Sequence, residues 1–328
     1  MKNKTLLEKK GGVLAGYKRT AFLRNFSTFI ALAVIWIILS LISPHFLTLG
    51  NMSNMLVQAA NIMLVATGLT FVLICGQIDL SLGSIEALTG AVVSIAIINW
   101  GMPMIPAIIL AVLIGMLCGL VNGFFIAQFS FPPFIATLGM MGIARGFALI
   151  TTGGTAVYGF PDSFKFLGQG MVGPIPFPVI AYGVILVIAF IVLKFTRYGV
   201  NVYATGGNAE AAALSGINVK FIKMSVMGLA GFLAALAGII MTARLNSGQA
   251  TIGAEDVNDS IASVVIGGTS LSGGTGGIVG TLVGVMIITS IRNGLNILGV
   301  TSYWQQVCIG TIILLAVLID LFGKKQGK

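Results

Sequence analysis

The sequence predicts an all-α polytopic membrane protein, because the chain is apolar, poor in charge and rich in glycine. Hydrophobic residues make up 57% of its 328 residues and charged residues 8%, and the mean hydropathy is +1.03. Soluble domains carry roughly 25% charged residues. The 44 glycines suit helices that pack closely in lipid. This composition excludes a soluble enzyme, a disulfide-rich secreted module and a disordered chain.

Apolar stretches recur along the whole chain, and a helix needs about 20 apolar residues to cross a bilayer. The stretches occupy residues 27–43, 54–75, 84–99, 103–127, 134–151, 178–194, 222–243, 277–291 and 303–322. Prolines lie in several of the gaps, where helices are expected to end. The first stretch lacks a convincing small-x-small cleavage site, so we interpret it as an anchor and not as a signal peptide.

Basic residues set the orientation, because Lys and Arg collect on cytoplasmic flanks. Of the 18 basic residues, most lie before Phe26, in the loop 197–223 with its preceding Lys194, or in the tail 323–328. All three clusters are cytoplasmic only if an even number of spans separates each pair. Six spans separate the first two clusters, but only three obvious spans follow the second.

A tenth crossing is therefore expected in residues 259–271, as a short or broken helix inside the bundle. Irregular backbone at membrane depth is tolerated where protein buries it. The prediction is ten crossings with both termini cytoplasmic. The chain divides into a basic cytoplasmic segment 1–26, one transmembrane domain 27–322 that contains the cytoplasmic loop 197–223, and a cytoplasmic tail 323–328.

Two short stretches resemble each other. Val72–Gly76 is followed by Leu80–Ser84, and Val264–Gly268 is followed by Leu271–Thr275. Paired, glycine-interrupted segments in the two halves of a transporter point to its transport path. A biased composition also produces such matches by coincidence, so both interpretations stay open.

The chain offers few residues for chemistry of its own. Its three cysteines lie in apolar runs and His45 is its single histidine, so no metal site or cofactor is expected. No GxxxxGK[ST] motif occurs, so the chain has no phosphate-binding loop of its own; if ATP drives its function, ATP and Mg²⁺ bind to a separate ATPase chain. The basic residues behind the net charge of +9 lie beside the spans, where they contact anionic lipid. No nucleic-acid partner is therefore expected.

Charged residues at membrane depth are costly and mark sites that face protein or water. They are Glu86, Arg145, Arg244 and Arg292. Arg145 is expected about 16 Å deep, compensated by Glu86 or by a backbone carbonyl, either as a structural pair or as part of a gate. Asp79 is expected in a short cytoplasmic turn, where it or Ser81 caps the next helix or takes part in gating.

A short helix is predicted within the cytoplasmic loop. Asn208 is a favourable N-cap, the following Ala-rich run favours helix, and Gly216 can end it in the left-handed conformation. Such a helix either seats in a cleft of another protein or simply connects two spans.

The same residues resemble a known family. Glu210-Ala211-Ala212 followed by Gly216 matches the EAA-x-x-x-G loop of ABC importer permeases, and Gly76–Ser84 is similar to the G-x-I-D-L-S-x-G-S signature of the ribose-type sugar permeases. Further similarity lies in Gly206–Asn208, Leu214–Ile217, Ala262–Gly274 and Asn293–Asn296, and the resemblance covers residues 27–322. Gln77 departs from it, since many relatives carry a small residue there.

The resemblance implies a type II ABC importer permease that moves a ribose-like pentose or related sugar across the bacterial inner membrane. It implies a second permease copy as homodimer or heterodimer, a cytoplasmic ABC ATPase, and a periplasmic or lipid-anchored sugar-binding protein. The coupling residues would be Gly206, Asn208, Glu210, Ala211, Ala212, Ser215 and Gly216. The chain itself would transmit movement and would not be an enzyme.

Outward loops would receive the sugar-binding protein. The candidate docking charges are Asp162, Lys165, Glu255, Asp256 and Asp259, which are otherwise explained as solvated loop residues. The alternative function is a secondary transporter driven by an ion gradient, a class that favours a carboxylate in mid-span, and Glu86 alone approaches that position.

Overall fold

The computed structural model describes residues 28–325, and nearly all regular structure in that range is helical. The helices are α1 (Thr28–Ile42), α2 (Leu49–Ile74), α3 (Leu82–Ile98), α4 (Met104–Phe129), α5 (Pro133–Thr152), α6 (Asp162–Gln169), α7 (Phe177–Phe195), α8 (Arg197–Gly207), α9 (Ala209–Leu214), α10 (Val219–Leu245), α11 (Asp256–Ile266), α12 (Ile278–Ile297) and α13 (Ser302–Lys325). The predicted basic segment 1–26 and residues 326–328 of the predicted tail lie outside the described residues.

A helix lies at each of the nine apolar stretches. Within the described range, six helices (α2, α4, α5, α7, α10 and α12) are long and apolar enough to cross a membrane, and α1 and α3 are shorter apolar helices. The helix expected in residues 259–271 is present as α11, but it begins earlier, at Asp256, and ends at Ile266. The chain is thus a multi-pass membrane protein, and ten crossings stay a prediction.

Local sequence sets several of the helix boundaries. Prolines occupy the N-cap positions of α4, α5 and α7, where the missing N–H group of proline does no harm. Ser130, Gly153 and Asn246 end α4, α5 and α10 in the left-handed conformation, which terminates a helix and releases the chain.

Helix α10 is the axis of the bundle, and it packs against α2, α3 and α4. Glycines permit the contact with α4. A Cβ atom on Gly119 would lie 2.2 Å from the carbonyl oxygen of Met227, and one on Gly231 would lie 2.3 Å from that of Gly115. The two backbones therefore touch, as small residues allow between membrane helices.

The bundle has two distinct ends. The α9 end contains α8, α9, the start of α10 and the loop 267–277. The α6 end contains α6, the loop 246–255 and two short antiparallel strand pairs. The first pair joins β1 (Val157–Tyr158) to β4 (Ser247–Gly248), and the second joins β2 (Met171–Val172) to β3 (Ile175–Pro176).

Helix α3 begins inside the bundle and not at its α9 end. A Cβ atom on Gly238 would lie 2.2 Å from the carbonyl oxygen of Glu86, so the first turn of α3 lies level with Gly238. Gly238 is about 28 Å along α10 from Val219 at 1.5 Å per residue. Residues 75–81 therefore run from the end of α2 back into the bundle, and Glu86, near the start of α3, is completely buried inside it.

The contact between α4 and α10 predicts a difference between two glycine-to-alanine variants. Gly119→Ala should lower the free energy of unfolding by about 1–3 kcal/mol, because the added methyl group overlaps the Met227 carbonyl. Gly139→Ala is the matched control, since a Cβ atom there meets nothing within 4 Å. Thermal unfolding in detergent measures both, and equal midpoints would contradict the packing.

Candidate functional site

The short helix predicted within the loop 197–223 is present as α9, a six-residue helix Ala209–Leu214. The side chain of Asn208 accepts a hydrogen bond from the Ala211 N–H group at 2.9 Å, which is N-capping. Gly216 has φ +84°, a conformation that L side chains rarely adopt. The chain leaves the helix there, and Ile217 N–H donates back to Ala212 O at 3.1 Å.

Helix α9 presents a small, mixed surface away from the bundle. Ala212 is buried, whereas Glu210, Ala211 and Ser215 are exposed. Leu214 is 91% exposed, although a large apolar side chain is costly to leave in water. Leu214 was not among the predicted coupling residues, although a large apolar residue at the end of a short helix in a hydrophilic loop could have indicated it.

Glycines join this region to two other parts of the α9 end. A Cβ atom on Gly206 would lie 1.7 Å from the carbonyl oxygen of Ile74, and one on Gly273 would lie 2.6 Å from that of Gly206. The Gly274 N–H group donates to the same Ile74 oxygen at 2.8 Å. We call Ile74, Gly76, Gly206, Gly273 and Gly274 the glycine junction. It ties α8, the end of α2 and the loop 267–277 together.

The two stretches that resemble each other in sequence meet at this junction. A Cβ atom on Gly273 would lie 2.8 Å from the Cα atom of Gly76. Beside the contact lies a cavity of about 390 Å³, lined by Lys194, Tyr203 and the glycine-rich residues 274–280 among others. The Tyr203 hydroxyl donates to Gly276 O at 2.8 Å, which fixes the loop against α8.

The gate candidates Asp79 and Ser81 are completely buried, so the expected position in a short cytoplasmic turn is wrong. The Asp79 carboxylate accepts hydrogen bonds from the N–H group of Ser81 at 2.8 Å and from its hydroxyl at 2.6 Å. Asn122 on α4 donates to the same hydroxyl at 3.0 Å. Ser81 is the N-cap residue of α3 but makes no side-chain cap bond.

Segment 75–81 also carries buried polar atoms with no partner in the described part of the chain. They are Oδ2 of Asp79 and both amide atoms of Gln77. Unpartnered buried groups cost about 1–3 kcal/mol each. The hydrogen bonds between Ser81 and Asp79 and the contact of Ser81 with Asn122 therefore leave part of the polar capacity of the segment unused.

Arg145 is compensated by backbone carbonyls, one of the two expected solutions. Its guanidinium donates to the carbonyl oxygens of Ala250, Ile252 at 3.0 Å and Gly83 at 3.2 Å. It thereby binds α5 to the loop 246–255 and to the first turn of α3. No ion pair with Glu86 occurs among the described residues, so that part of the hypothesis is wrong.

Glu86 instead belongs to a polar group that contains Asn61 and Asp256. The Asn61 amide donates to a Glu86 oxygen at 2.7 Å and to an Asp256 oxygen at 2.6 Å. Asn61 was not among the predicted site residues, although a lone amide within the apolar run of α2 could have indicated a buried polar contact. One amide therefore links α2, α3 and the start of α11.

The predicted docking patch of three acids is largely internal. Asp259 is 2% exposed and binds Arg292 through two contacts, at 2.8 Å and 2.5 Å. Asp256 faces Asn61, and Glu255 lies 2.9 Å from Arg292. The expected exposure of Asp256 and Asp259 is wrong, because each acid finds an internal partner that its neighbours in sequence do not reveal.

The other docking candidates lie on the surface of α6. Asp162 and Lys165 form an ion pair of 2.6 Å, and the Asp162 side chain is 96% exposed. The Lys165 ammonium group lowers the pKa of the Asp162 carboxyl. This pair is accessible to a partner in the described structure.

Neutralising the acid of the Asp259–Arg292 pair should destabilise the protein, whereas neutralising the acid of the exposed Asp162–Lys165 pair should not. Asp259→Asn should lower the free energy of unfolding by about 3 kcal/mol, because the half-buried Arg292 loses its two-point partner and keeps only Glu255. Asp162→Asn is the matched control. It should leave the free energy of unfolding unchanged, since water solvates Lys165 once the exposed ion pair is lost. Denaturation in detergent measures both, and an equal response would mean that the Arg292 pair adds no stability.

The chain matches a family model and several characterised proteins. The model described as branched-chain amino acid transport system / permease component matches residues 51–317. The chain is 44% identical to the ribose import permease protein RbsC of Escherichia coli (strain K12), over 94% of this chain and 97% of that protein. No solved structure matches the chain.

Further relatives carry sugar names as well. Identity is 45% to the ribose import permease protein RbsC of Bacillus subtilis (strain 168), over 91% of this chain and 93% of that protein. It is 39% to the D-allose transport system permease protein AlsC of Escherichia coli (strain K12), over 91% and 92%. The expected resemblance is therefore confirmed, and this chain belongs to the branched-chain amino acid transport system / permease component family.

Proposed function

We propose that the chain is the membrane permease subunit of an ATP-driven importer that carries a monosaccharide, such as a ribose-like pentose, across the bacterial inner membrane. Relatives named as ribose and D-allose permeases support the substrate class. The observation that carries the proposal is α9, a capped helix that projects a bare Leu214 from an apolar bundle.

The proposed partner at α9 is a cytoplasmic ABC ATPase. Leu214, Glu210 and the exposed alanines form a surface small enough to enter a groove of that chain. ATP and Mg²⁺ would bind to the ATPase alone. This chain's residues transmit movement, from α9 through the glycine junction to α2 and to the loop 267–277.

The proposed gate is segment 75–81. It runs between the α9 end, which would move, and the first turn of α3. Oδ2 of Asp79 and both amide atoms of Gln77 lack partners in the described part of the chain. Rearrangement of the α9 end would let those groups meet water or a passing sugar. Glu86 and Arg145 hold the opposite side of this path in position.

At the α6 end, the proposed partner is a periplasmic or lipid-anchored sugar-binding protein. The exposed Asp162–Lys165 pair offers charges of both signs, which fix orientation more than affinity. Glu255 is the second candidate, since its side chain is 40% exposed. We further propose a second permease copy, ten crossings and cytoplasmic termini.

The energy source distinguishes the proposed importer from the alternative, an ion-driven transporter. The buried carboxyls of Asp79 and Glu86 are the feature that favours the alternative. In proteoliposomes that contain the chain, its ATPase and its binding protein, sugar uptake should require ATP and should stop with vanadate. Collapse of the proton and sodium gradients should leave uptake unchanged. Uptake by the chain alone, driven by an imposed gradient, would establish the alternative.

The glycine junction predicts an uncoupled variant. Gly206→Ala should reduce the sugar imported per ATP hydrolysed by about tenfold, because the methyl group pushes α8 away from Ile74. Gly207→Ala is the matched control, since a Cβ atom at Gly207 meets nothing within 4 Å. Both variants are compared for ATP hydrolysis and uptake in the same proteoliposomes. Equal ratios in the two variants would show that the junction transmits nothing.

A further inference from the structure

A polar cavity of about 310 Å³ lies at the α6 end between α11, α12 and α13. Small-molecule sites occupy roughly 300–1,000 Å³ and combine apolar walls with a few convergent polar groups. This cavity meets both conditions. Its lining is Ala254, Glu255, Asn258, Asp259, Arg292, Gln306, Ile309, Gly310 and Ile313.

The charged groups of the lining are fixed in place. Arg292 binds Asp259 through two contacts and Glu255 through a third, 2.9 Å long. The Gln306 amide donates to the other Glu255 oxygen. A guanidinium held by carboxylates, with side-chain amides around it, is a preorganised set of hydrogen-bond donors and acceptors.

The cavity also has an apolar wall. Ile309, Gly310 and Ile313 all belong to α13 and line the cavity. Ile309 is 2% exposed. A sugar ring has hydroxyl groups at its edge and C–H groups on its faces. The polar side chains of the cavity suit the hydroxyl groups, and the isoleucines suit the C–H faces.

The cavity lies near the α6 end of the bundle and not at its middle. Arg292 is about 8 Å from the end of α12 at Ile297, and Gln306 is about 6 Å from the start of α13, at 1.5 Å per residue. Charged and amide side chains at that depth face protein or water and not lipid. By contrast, a cavity lined by Met116, Leu120 and Phe232 among others is apolar and suits lipid chains.

We infer that this cavity is a low-affinity sugar site of the permease, in which Asn258, Gln306 and Arg292 bind the hydroxyl groups of a neutral monosaccharide. The inference rests on the proposed function and names the residues that first receive the sugar. Amides serve both as donors and as acceptors, so they accept several stereoisomers. Low affinity allows the sugar to leave again toward the other side.

A cysteine in the cavity wall tests the site directly. A Cβ atom on Gly310 meets nothing within 4 Å, so Gly310→Cys adds a thiol without overlap. The background carries Cys75→Ala, Cys118→Ala and Cys308→Ala, and the full chain with its ATPase is placed in nanodiscs. The rate of reaction with a charged methanethiosulfonate is measured with D-ribose, L-leucine or glycine betaine at equal osmolarity.

D-Ribose should protect the Gly310→Cys thiol, and the other two solutes should not. For a dissociation constant on the order of 10 mM, 100 mM D-ribose fills about nine-tenths of the sites and slows the reaction about tenfold. Gly50→Cys is the matched control, because a Cβ atom there also meets nothing within 4 Å. Gly50 lies at the same end of the bundle but outside the cavity, so D-ribose should not slow its reaction.

A second variant identifies the binding groups. Asn258→Ala should raise the D-ribose concentration for half-maximal protection about fivefold, because one hydrogen-bonding side chain is lost. Asn99→Ala, an exposed asparagine at the end of α3, should leave it unchanged. Equal shifts in both variants would overturn the assignment to Asn258.

Uptake by the complete complex separates the two proposals. ATP-driven D-ribose uptake with no protection at Gly310→Cys overturns the sugar site and leaves the proposed function standing. Protection without uptake supports the site and contradicts the proposed function. Protection by L-leucine and not by D-ribose overturns the site as a sugar site.

Discussion

Direct contact between helix backbones around α10 is the constraint on which the rest of the structure depends. Lipid tails are as apolar as leucine, so membrane helices associate through close packing and not through the hydrophobic effect. Gly119 and Gly231 bring α4 and α10 together, and Gly238 fixes the start of α3 at the carbonyl of Glu86. Because α3 starts there, segment 75–81 has to pass through the interior, and its polar groups are buried as a result.

Buried charges then hold the α6 end against this axis. The Arg145 guanidinium satisfies carbonyls from two different segments, and the Asn61 amide bridges carboxyls from two helices. An arginine suits this role because it presents five N–H donors in a fixed geometry. The loop 246–255 is therefore attached to α3 and α5 through polar contacts. Such contacts exchange partners more readily than packed side chains do.

Sequence predicted the helices well and the depth of polar residues poorly. Apolar runs located the long helices, charge parity located α11, and Asn208 with Gly216 located α9, since all three signals are local. Asp79 was misplaced because residue counting assumes that each helix begins at a membrane surface, whereas α3 begins inside the bundle. Asp259 was misplaced because its partner Arg292 lies 33 residues away, and no local pattern reveals that pairing.

The connections around α9 join it closely to the helix on either side of it in the chain. Asn208 is at once the C-cap of α8 and the N-cap of α9, so no free residue separates those two helices. Beyond α9, the Asn218 side chain caps α10 by accepting from Phe221 N–H at 3.0 Å. Both connections are held by hydrogen bonds, and α10 continues as one helix of 27 residues, about 40 Å long. Helix α9 is therefore joined to α8 at a shared cap residue and to α10 through the short turn 215–218, which places it in contact with both the glycine junction and the long helix on which the bundle packs.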